Sequence, residues 1–133
     1  MDTATPGSAG RSAIAIDIDR PFQHVLAAWL AARGFHVDFV TLPLVPTSQP
    51  PPELIVCELA EPKATGAQIL HELAQTHPDA VLVAISPRLV AGARWDTLAR
   101  QLGADAALGK PFSRDEFLAT LDAAFRNRFP LPP

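Results

Sequence analysis

The chain has few charged residues and a single cysteine, and each of these features excludes a class of protein. Charged residues make up 19% of its 133 residues, and the formal net charge is -3. Because a nucleic-acid surface needs clustered Lys and Arg to neutralise phosphates, we expect none here. The single cysteine, Cys57, excludes an internal disulfide framework and is typical of a reducing compartment. Since Cys57 lies in an apolar run, we interpret it as a buried structural thiol.

The sequence also lacks membrane segments. No apolar run approaches the roughly 20 residues that a bilayer-spanning helix needs. Residues Met1–Ser12 contain no apolar core of a signal peptide. We therefore expect a cytoplasmic protein with no membrane partner. With 48% hydrophobic residues, a chain of this length can bury the core of one ordinary domain.

Proline, in contrast, is plentiful and unevenly placed. Most of the 14 prolines lie in the segment 43–52 and at the C-terminal end. The segment 43–52 is predicted to be a loop, because proline has no N–H to donate to a sheet. We predict a flexible N-terminal arm over 1–11, one domain over 12–128 and a Pro-rich tail over 129–133.

Short apolar runs alternate with helical patterns along the chain. The runs predicted as strands are 13–18, 36–42, 54–59, 81–85 and 106–108. Apolar residues recur at helical spacing in 22–30, 66–76, 95–102 and 113–125. Pro21 fits the first turn of the first helix, Gly34 follows its end, and Ser113 with Glu116 forms a capping box. Strands that are apolar on both faces belong in a parallel sheet covered by helices. We predict an α/β fold, a flavodoxin-like doubly wound five-stranded parallel sheet in the order 2-1-3-4-5 with about five helices.

Polar side chains stand where four of the predicted strands end. They are Asp17 with Asp19, then Glu58, then Ser86, then Lys110 followed by Pro111. Folds of this class place their sites at the carboxyl ends of the strands. Hard divalent cations prefer oxygen ligands, and the oxygens of a phosphoryl group bind metals, hydroxyls and ammonium groups. The sequence therefore predicts a crevice suited to a phosphoryl group.

Two segments resemble a known family. Leu54–Gly66, LIVCELAEPKATG, is similar to the motif of response-regulator receiver domains (the CheY-like family) in which an aspartate ends the third strand. Gly103–Phe112, GADAALGKPF, is similar to the segment that leads into the family's Lys-Pro. The resemblance extends over Ser12–Arg126, and the two segments together are a fairly specific pair.

The resemblance implies roles for the residues of the crevice. Glu58 stands at the position of the phosphoacceptor aspartate, Ser86 at the switch Ser/Thr, and Lys110 at the lysine that contacts the phosphoryl group. The Lys110-Pro111 bond is expected to be cis. Ala107 stands where the family often has an aromatic switch residue.

The metal-binding acids of the family are only partly matched. Asp17 stands at the first acid, the second falls on Ile18, and Asp19 follows. If the strand continues, Asp17 and Asp19 point to one face and Ile18 to the other. We expect Mg²⁺ binding to be weak or absent, and no other cofactor.

The glutamate at the acceptor position is the departure that matters most. Its extra methylene moves the carboxylate by about an ångström, a displacement that can cost about a hundredfold in rate. Glu58 can also pair permanently with Lys110, which would partly imitate phosphorylation with about one negative charge against the 1.5 to 2 of a phosphate. We therefore predict that the domain is not phosphorylated. Ala107, and Pro87 directly after Ser86, also argue against an ordinary switch, although some receivers switch without the aromatic ring.

The leading hypothesis is an atypical, stand-alone receiver without enzymatic activity that acts as a protein-interaction module in two-component signalling. The partner would be a signalling protein or histidine kinase, or a second copy of the chain. The resemblance implies a partner or dimer surface made of Trp95–Leu102, Ala106–Leu108 and Ser113–Phe125. One alternative is a receiver that still takes phosphate from a histidine kinase. Another alternative is a flavodoxin-like small-ligand binder or enzyme. The lack of a Gly-rich loop after any predicted strand argues against it.

Overall fold

The computed structural model describes residues 11–41, 51–59, 64–86, 97, 99–101 and 103–129, with the backbone alone at 64–67. Outside these ranges lie residues 1–10 of the predicted arm, most of the loop 43–52 and the tail after Phe129. Pro87 and half of the predicted helix 95–102 also lie outside them. Those predictions therefore stay predictions.

Five parallel strands form one sheet. They are β1 (Arg11–Ile16), β2 (Phe35–Val40), β3 (Leu54–Glu58), β4 (Val81–Ser86) and β5 (Ala106–Gly109). The strands lie in the order β2-β1-β3-β4-β5, and each neighbouring pair is parallel. The predicted doubly wound sheet with the order 2-1-3-4-5 is confirmed.

Three helices lie within the described residues. They are α1 (Arg20–Ala31), α2 (Ala64–Thr76) and α3 (Arg114–Arg128). Residues 97 and 99–101 are also helical and belong to the stretch for which a further helix is predicted. Within the described part of the chain, no helix has the length and apolar character needed to cross a membrane.

The core has two halves, one on each face of the sheet. Along β1 the side chains alternate: Ala13 and Ala15 face one half, and Ile14 and Ile16 face the other. The first half is closed by α1 and α3, and the second by α2. Helix residues buried in the first half include Leu26, Leu30, Phe117 and Leu121, and those in the second include Leu70 and Leu73. Central strands buried on both faces explain why their sequences are apolar throughout.

The ends of the first strand differ from the prediction. The strand begins at Arg11, inside the predicted arm, where the backbone N–H of Arg11 donates to the carbonyl of Gly34 at 2.8 Å. It ends at Ile16 and not at Ile18, because Asp17 adopts a positive φ of 59° that no strand can continue.

Local signals fix the start of α3 as predicted. The Ser113 hydroxyl accepts from the backbone N–H of Glu116 at 3.0 Å, and the Glu116 carboxylate accepts from the backbone N–H of Ser113 at 2.9 Å. This capping box satisfies N–H groups that the first helical turn leaves free. It also places the N-cap of the helix three residues after Lys110, so the end of β5 is held close to a rigid element.

Two ion pairs tie the helices to the rest of the fold. Arg33, after α1, donates two hydrogen bonds of 2.9 Å to Asp122 on α3. Arg128, at the end of α3, donates to Asp105 at 2.9 Å, and Asp105 also accepts from the backbone N–H of Leu82 at 2.8 Å. The last turn of α3 is thereby joined to the starts of β4 and β5.

We expect replacement of either positive-φ glycine by alanine to destabilise the fold, and Gly103→Ala to do so more. Gly34 (φ 82°) has open space around an added Cβ, so its cost is the backbone strain of about 1–2 kcal/mol. Gly103 (φ 111°) has the same strain, and its Cβ would also lie 2.8 Å from the Cβ of Ala74 on α2. Urea unfolding of both variants measures the difference. Equal losses would show that α2 yields to the added methyl at no cost.

Candidate functional site

The candidate site lies at the carboxyl ends of β1, β3 and β5, and Lys110 is at its centre. β5 ends at Gly109, opposite Ser86 in the register of β4 and β5. The backbone N–H of Lys110 donates to the carbonyl of Ser86 at 3.0 Å, which continues the pairing of the strands by one residue. The peptide bond between Lys110 and Pro111 is cis, as the resemblance implied.

The ammonium group of Lys110 lies between two carboxylates. Its Nζ donates to Oε1 and Oε2 of Glu58 at 3.1 and 3.2 Å and to Oδ1 of Asp19 at 2.9 Å. The ring of Phe22 lies close by, with its centroid 5.0 Å from Nζ. The residues predicted to converge at positions 19, 58 and 110 are therefore in direct contact.

The two carboxylates differ in their exposure to solvent. The Glu58 side chain is 12% exposed, the Lys110 side chain 25% and the Asp19 side chain 52%. Water screens the contact with Asp19 more than the contact with Glu58. Glu58 is therefore the inner partner of the lysine, and Asp19 covers it from the rim.

Protonation at the site follows from these contacts. The hydrogen bond from Lys110 lowers the pKa of Asp19 from its ordinary value. Partial burial alone would lower the pKa of Lys110, but its hydrogen bonds and attraction to Asp19 and Glu58 outweigh burial and raise it. At neutral pH the lysine is therefore a cation and Asp19 an anion.

The turn after β1 sets the direction of its acids. Asp17 turns the chain, with its N–H bonded to the carbonyl of Val40 at 2.9 Å, and Ile18 then enters the core at 5% exposure. Asp17 and Asp19 are both exposed. Asp19 is the N-cap residue of α1, yet its side chain makes no capping hydrogen bond. Its carboxylate is directed to Lys110.

The donor set does not fit the Mg²⁺ that the resemblance implies. Mg²⁺ sites in proteins use one or two available carboxylates together with water. Here Asp19 and Glu58 are both bonded to the Lys110 ammonium, and the position of the second family acid is the buried Ile18. Among the residues that the structure describes, no group of three or more His, Cys, Asp or Glu side chains is arranged to hold a metal ion.

The two predicted switch positions lie on neighbouring strands. Ser86 is the last residue of β4 and is 1% exposed, and its carbonyl accepts from Lys110. Ala107 lies opposite Ala84 in the pairing of β4 and β5 and packs against the α2 half of the core. An alanine methyl contributes little packing area at this position compared with an aromatic ring.

Phe22 is a residue of the site that the sequence patterns did not indicate. It was assigned only to the apolar face of α1, yet its ring lies beside the ammonium of Lys110 and at 5.7 Å from Trp29 and 5.8 Å from Phe112 between centroids. Phe117 completes this aromatic cluster, at 5.7 Å from Trp29 and 6.0 Å from Phe112. The topology does indicate that Phe22 lies near the site. Phe22 is in the first turn of the helix that follows β1, and this turn lies at the same edge of the sheet as the residues after β5.

The lone thiol lies directly before the inner acid. Cys57 is free and buried on β3. Burial raises the pKa of Cys57 to about 12, helped by the negative charges of Asp17 and Glu58. A thiol that stays protonated at neutral pH is a poor nucleophile, which agrees with its interpretation as structural.

Comparison with known proteins points in one direction, although no family model matches the chain. The transcriptional regulatory protein QseB of Haemophilus influenzae is 30% identical over 117 residues, which cover 86% of this chain and 52% of that protein. The chain spans about half the length of the curated relatives that it matches.

Solved structures agree with the sequence matches. The beryllofluoride-activated NtrC4 receiver domain dimer is 25% identical, with a TM-score of 0.67 over 88% of this chain and 98% of that one. A CheY-like receiver domain protein from Methanospirillum hungatei is 15% identical, with a TM-score of 0.69 over 89% of this chain and 95% of that one. The latter similarity concerns the fold alone.

We expect Cys57 to resist alkylation in the native protein. Because the pKa of the thiol is raised to about 12, only a trace of thiolate exists at about pH 8. Iodoacetamide labelling, followed by mass spectrometry, should be slow in buffer and fast in denaturant. Rapid labelling of the folded protein would contradict the buried position of the thiol.

We expect Lys110→Met to lower the free energy of unfolding at pH 7 by about 1–2 kcal/mol, because the nearly buried Glu58 loses its partner. Asp19 has a lowered pKa when folded, so its pairing stabilises the fold above its unfolded pKa of about 3.9 and is lost as the pH falls through the folded value. Lys110 has a raised pKa, so its contribution is complete below about pH 10 and is lost above that.

Denaturant unfolding of wild type and variant across pH measures this difference. It should be greatest between about pH 4 and 10 and shrink on both sides. Arg33→Met is the matched control, because it breaks a more exposed pair with Asp122 and should cost less. A difference that is independent of pH would show that lost packing, and not charge pairing, accounts for the effect.

Proposed function

We propose that the chain, which is similar in sequence and fold to the receiver domains of response regulators, is an atypical receiver that is not phosphorylated. We propose further that it takes part in two-component signalling as a module that binds another protein. The observation that carries the proposal is the contact of Glu58 with Lys110, in which both carboxylate oxygens face the ammonium at 3.1 and 3.2 Å.

The pairing argues against acyl-phosphate chemistry. A carboxylate attacks phosphorus when an oxygen lone pair is in line with it, and a displacement of about 1 Å can cost about a hundredfold in rate. Both oxygens of Glu58 are bonded to the lysine that the resemblance assigns to the incoming phosphoryl group. Acceptor and phosphoryl-binding group are thus bonded to each other.

Charge at the site supports the same proposal. Phosphoryl transfer to a carboxylate places additional negative charge beside existing acids, and a divalent metal is the usual means of neutralising it. The acids of this crevice do not fit that metal, and the one ammonium is already shared between Glu58 and Asp19. Little positive charge is left to receive a phosphoryl group.

The proposed partner surface includes β5 and the outer side of α3. The exposed residues of α3 are mainly charged or small and include Arg114, Asp115, Glu116 and Ala119. Half of Trp95–Leu102, which the resemblance also assigns to this surface, lies outside the described residues. A polar and charged face is typical of the rim of a reversible protein–protein contact. The partner would be a histidine kinase or another signalling protein, or a second copy of the chain.

The small-ligand alternative gains little from the cavity that the structure describes. This open cavity of about 470 Å³ is near the amino ends of the strands, at the edge opposite to Lys110. Its walls include Arg11 and Glu53, which are already paired at 3.3 Å, and Arg11 also lies 4.5 Å from the centroid of the Phe125 ring. These contacts join β1 to α3 and are accounted for by packing.

Phosphorylation is tested with acetyl phosphate and Mg²⁺, followed by intact mass spectrometry. We expect no added phosphoryl group on the wild-type chain. Glu58→Asp draws the carboxylate back from Lys110 by about one bond length and should take up more phosphate than wild type. Glu53→Asp makes the same chemical change at the start of β3, where it should have no effect. A phosphoryl group on wild-type Glu58 would overturn the proposal and favour the phosphorylatable receiver.

A further inference from the structure

Lys110 stands where a cation would stand if one were bound to these acids. Its Nζ has three carboxylate oxygens within 3.2 Å, two from Glu58 on β3 and one from Asp19 before α1. The face of Phe22 lies near the same atom at 5.0 Å. Carboxylate oxygens and aromatic faces are both groups that attract a cation.

We propose that Lys110 is the resident cation of the crevice and that it keeps divalent metal ions out. This inference rests on the proposed function and deepens it, because it states how the unphosphorylated crevice is kept closed. The ammonium takes over the neutralisation of Glu58 and Asp19, and the site stays independent of metal.

Lys110 is covalently attached to the sheet, and this attachment favours its ammonium over an ion from solution. Lys110 is carried on the end of β5, which is paired to β4 through the carbonyl of Ser86. Its ammonium is therefore always present beside the acids, whereas a free ion must lose translational freedom on binding. The raised pKa of Lys110 keeps this group charged throughout the neutral range.

A metal ion that entered would meet two obstacles. It would have to separate Lys110 from Glu58 and then sit close to a stranded ammonium of the same sign. It would also lack the second of the family's acids, because Ile18 supplies no carboxylate there, and the ring of Phe22 supplies no oxygen. Mg²⁺ loses its bound water only when good ligands replace it, so the lack of oxygen ligands at Ile18 and Phe22 disfavours Mg²⁺ binding in the crevice.

Removal of the lysine should therefore convert the crevice into a metal site. The probe is Mn²⁺ alone, without any phosphate donor, titrated into the full chain and followed by the loss of the free-ion EPR signal. We expect no saturable binding of Mn²⁺ to wild type over the range of the titration. Lys110→Met should bind Mn²⁺ with an apparent affinity at least about tenfold above the limit that this range sets for wild type. Adding Asp19→Asn to that variant should remove most of the gain, because one of the two acids is then neutral.

Two further variants sharpen the comparison. Lys110→Arg keeps a cation beside the acids and should stay metal-free. Arg33→Met exposes a single acid, Asp122, by removing its partner, and should gain no Mn²⁺ binding. Should Lys110→Met fail to fold, Lys110→Gln, which keeps a polar side chain, takes its place.

Binding of Mn²⁺ to wild type as tight as to the lysine-free variant would overturn the inference. So would a gain that Asp19→Asn leaves unchanged, since the ion would then sit elsewhere. The outcome is separate from that of the phosphorylation test. Metal binding by wild type without any mass gain in acetyl phosphate would contradict only this inference, whereas a mass gain without metal binding would contradict only the proposed function.

Discussion

The contact of one ammonium with two carboxylates holds together the edge of the sheet where the candidate site lies. Lys110 follows β5, Glu58 ends β3, and Asp19 begins α1, so three segments far apart in the chain meet at one nitrogen. Taking charges out of water is costly, and only close and well-directed partners offset that cost. The partly buried lysine therefore needs both acids, and each acid is fixed in position by the lysine.

The length of the side chain at position 58 sets how far its carboxylate reaches toward Lys110. Glu58 ends its strand beside Ile85, and the lysine stands one strand further away on β5. An aspartate would end about one carbon–carbon bond earlier, and the Lys110 side chain would have to follow it to keep hydrogen bonds of this length. Under the proposed function, the longer side chain that changes the acceptor geometry also brings both carboxylate oxygens to the ammonium.

Local patterns in the sequence were enough to predict the fold, but only part of the site. The alternation of Ala13 and Ile14 along β1 and the capping box at Ser113 depend on neighbours in the chain, and both are present in the structure. The turn at Asp17 and the approach of Phe22 to Lys110 depend on tertiary contacts. No periodicity encodes such contacts. The convergence of acids and lysine was predictable because parallel strands end at one edge, and the same rule places Phe22 at that edge, whereas the distance of its ring from the ammonium depends on tertiary packing.

The aromatic cluster explains how a pair at the sheet edge is connected to the rest of the domain. Phe22 contacts the ammonium on one side and the rings of Trp29 and Phe112 on the other, and Phe117 carries the packing into α3. Interiors are closely packed, so the ring of Phe22 is held beside the ammonium by the rings behind it. Position 107, where the family often has its own ring, offers only a methyl group. The aromatic packing beside Lys110 therefore lies on the side of α1 and α3, and not at β5.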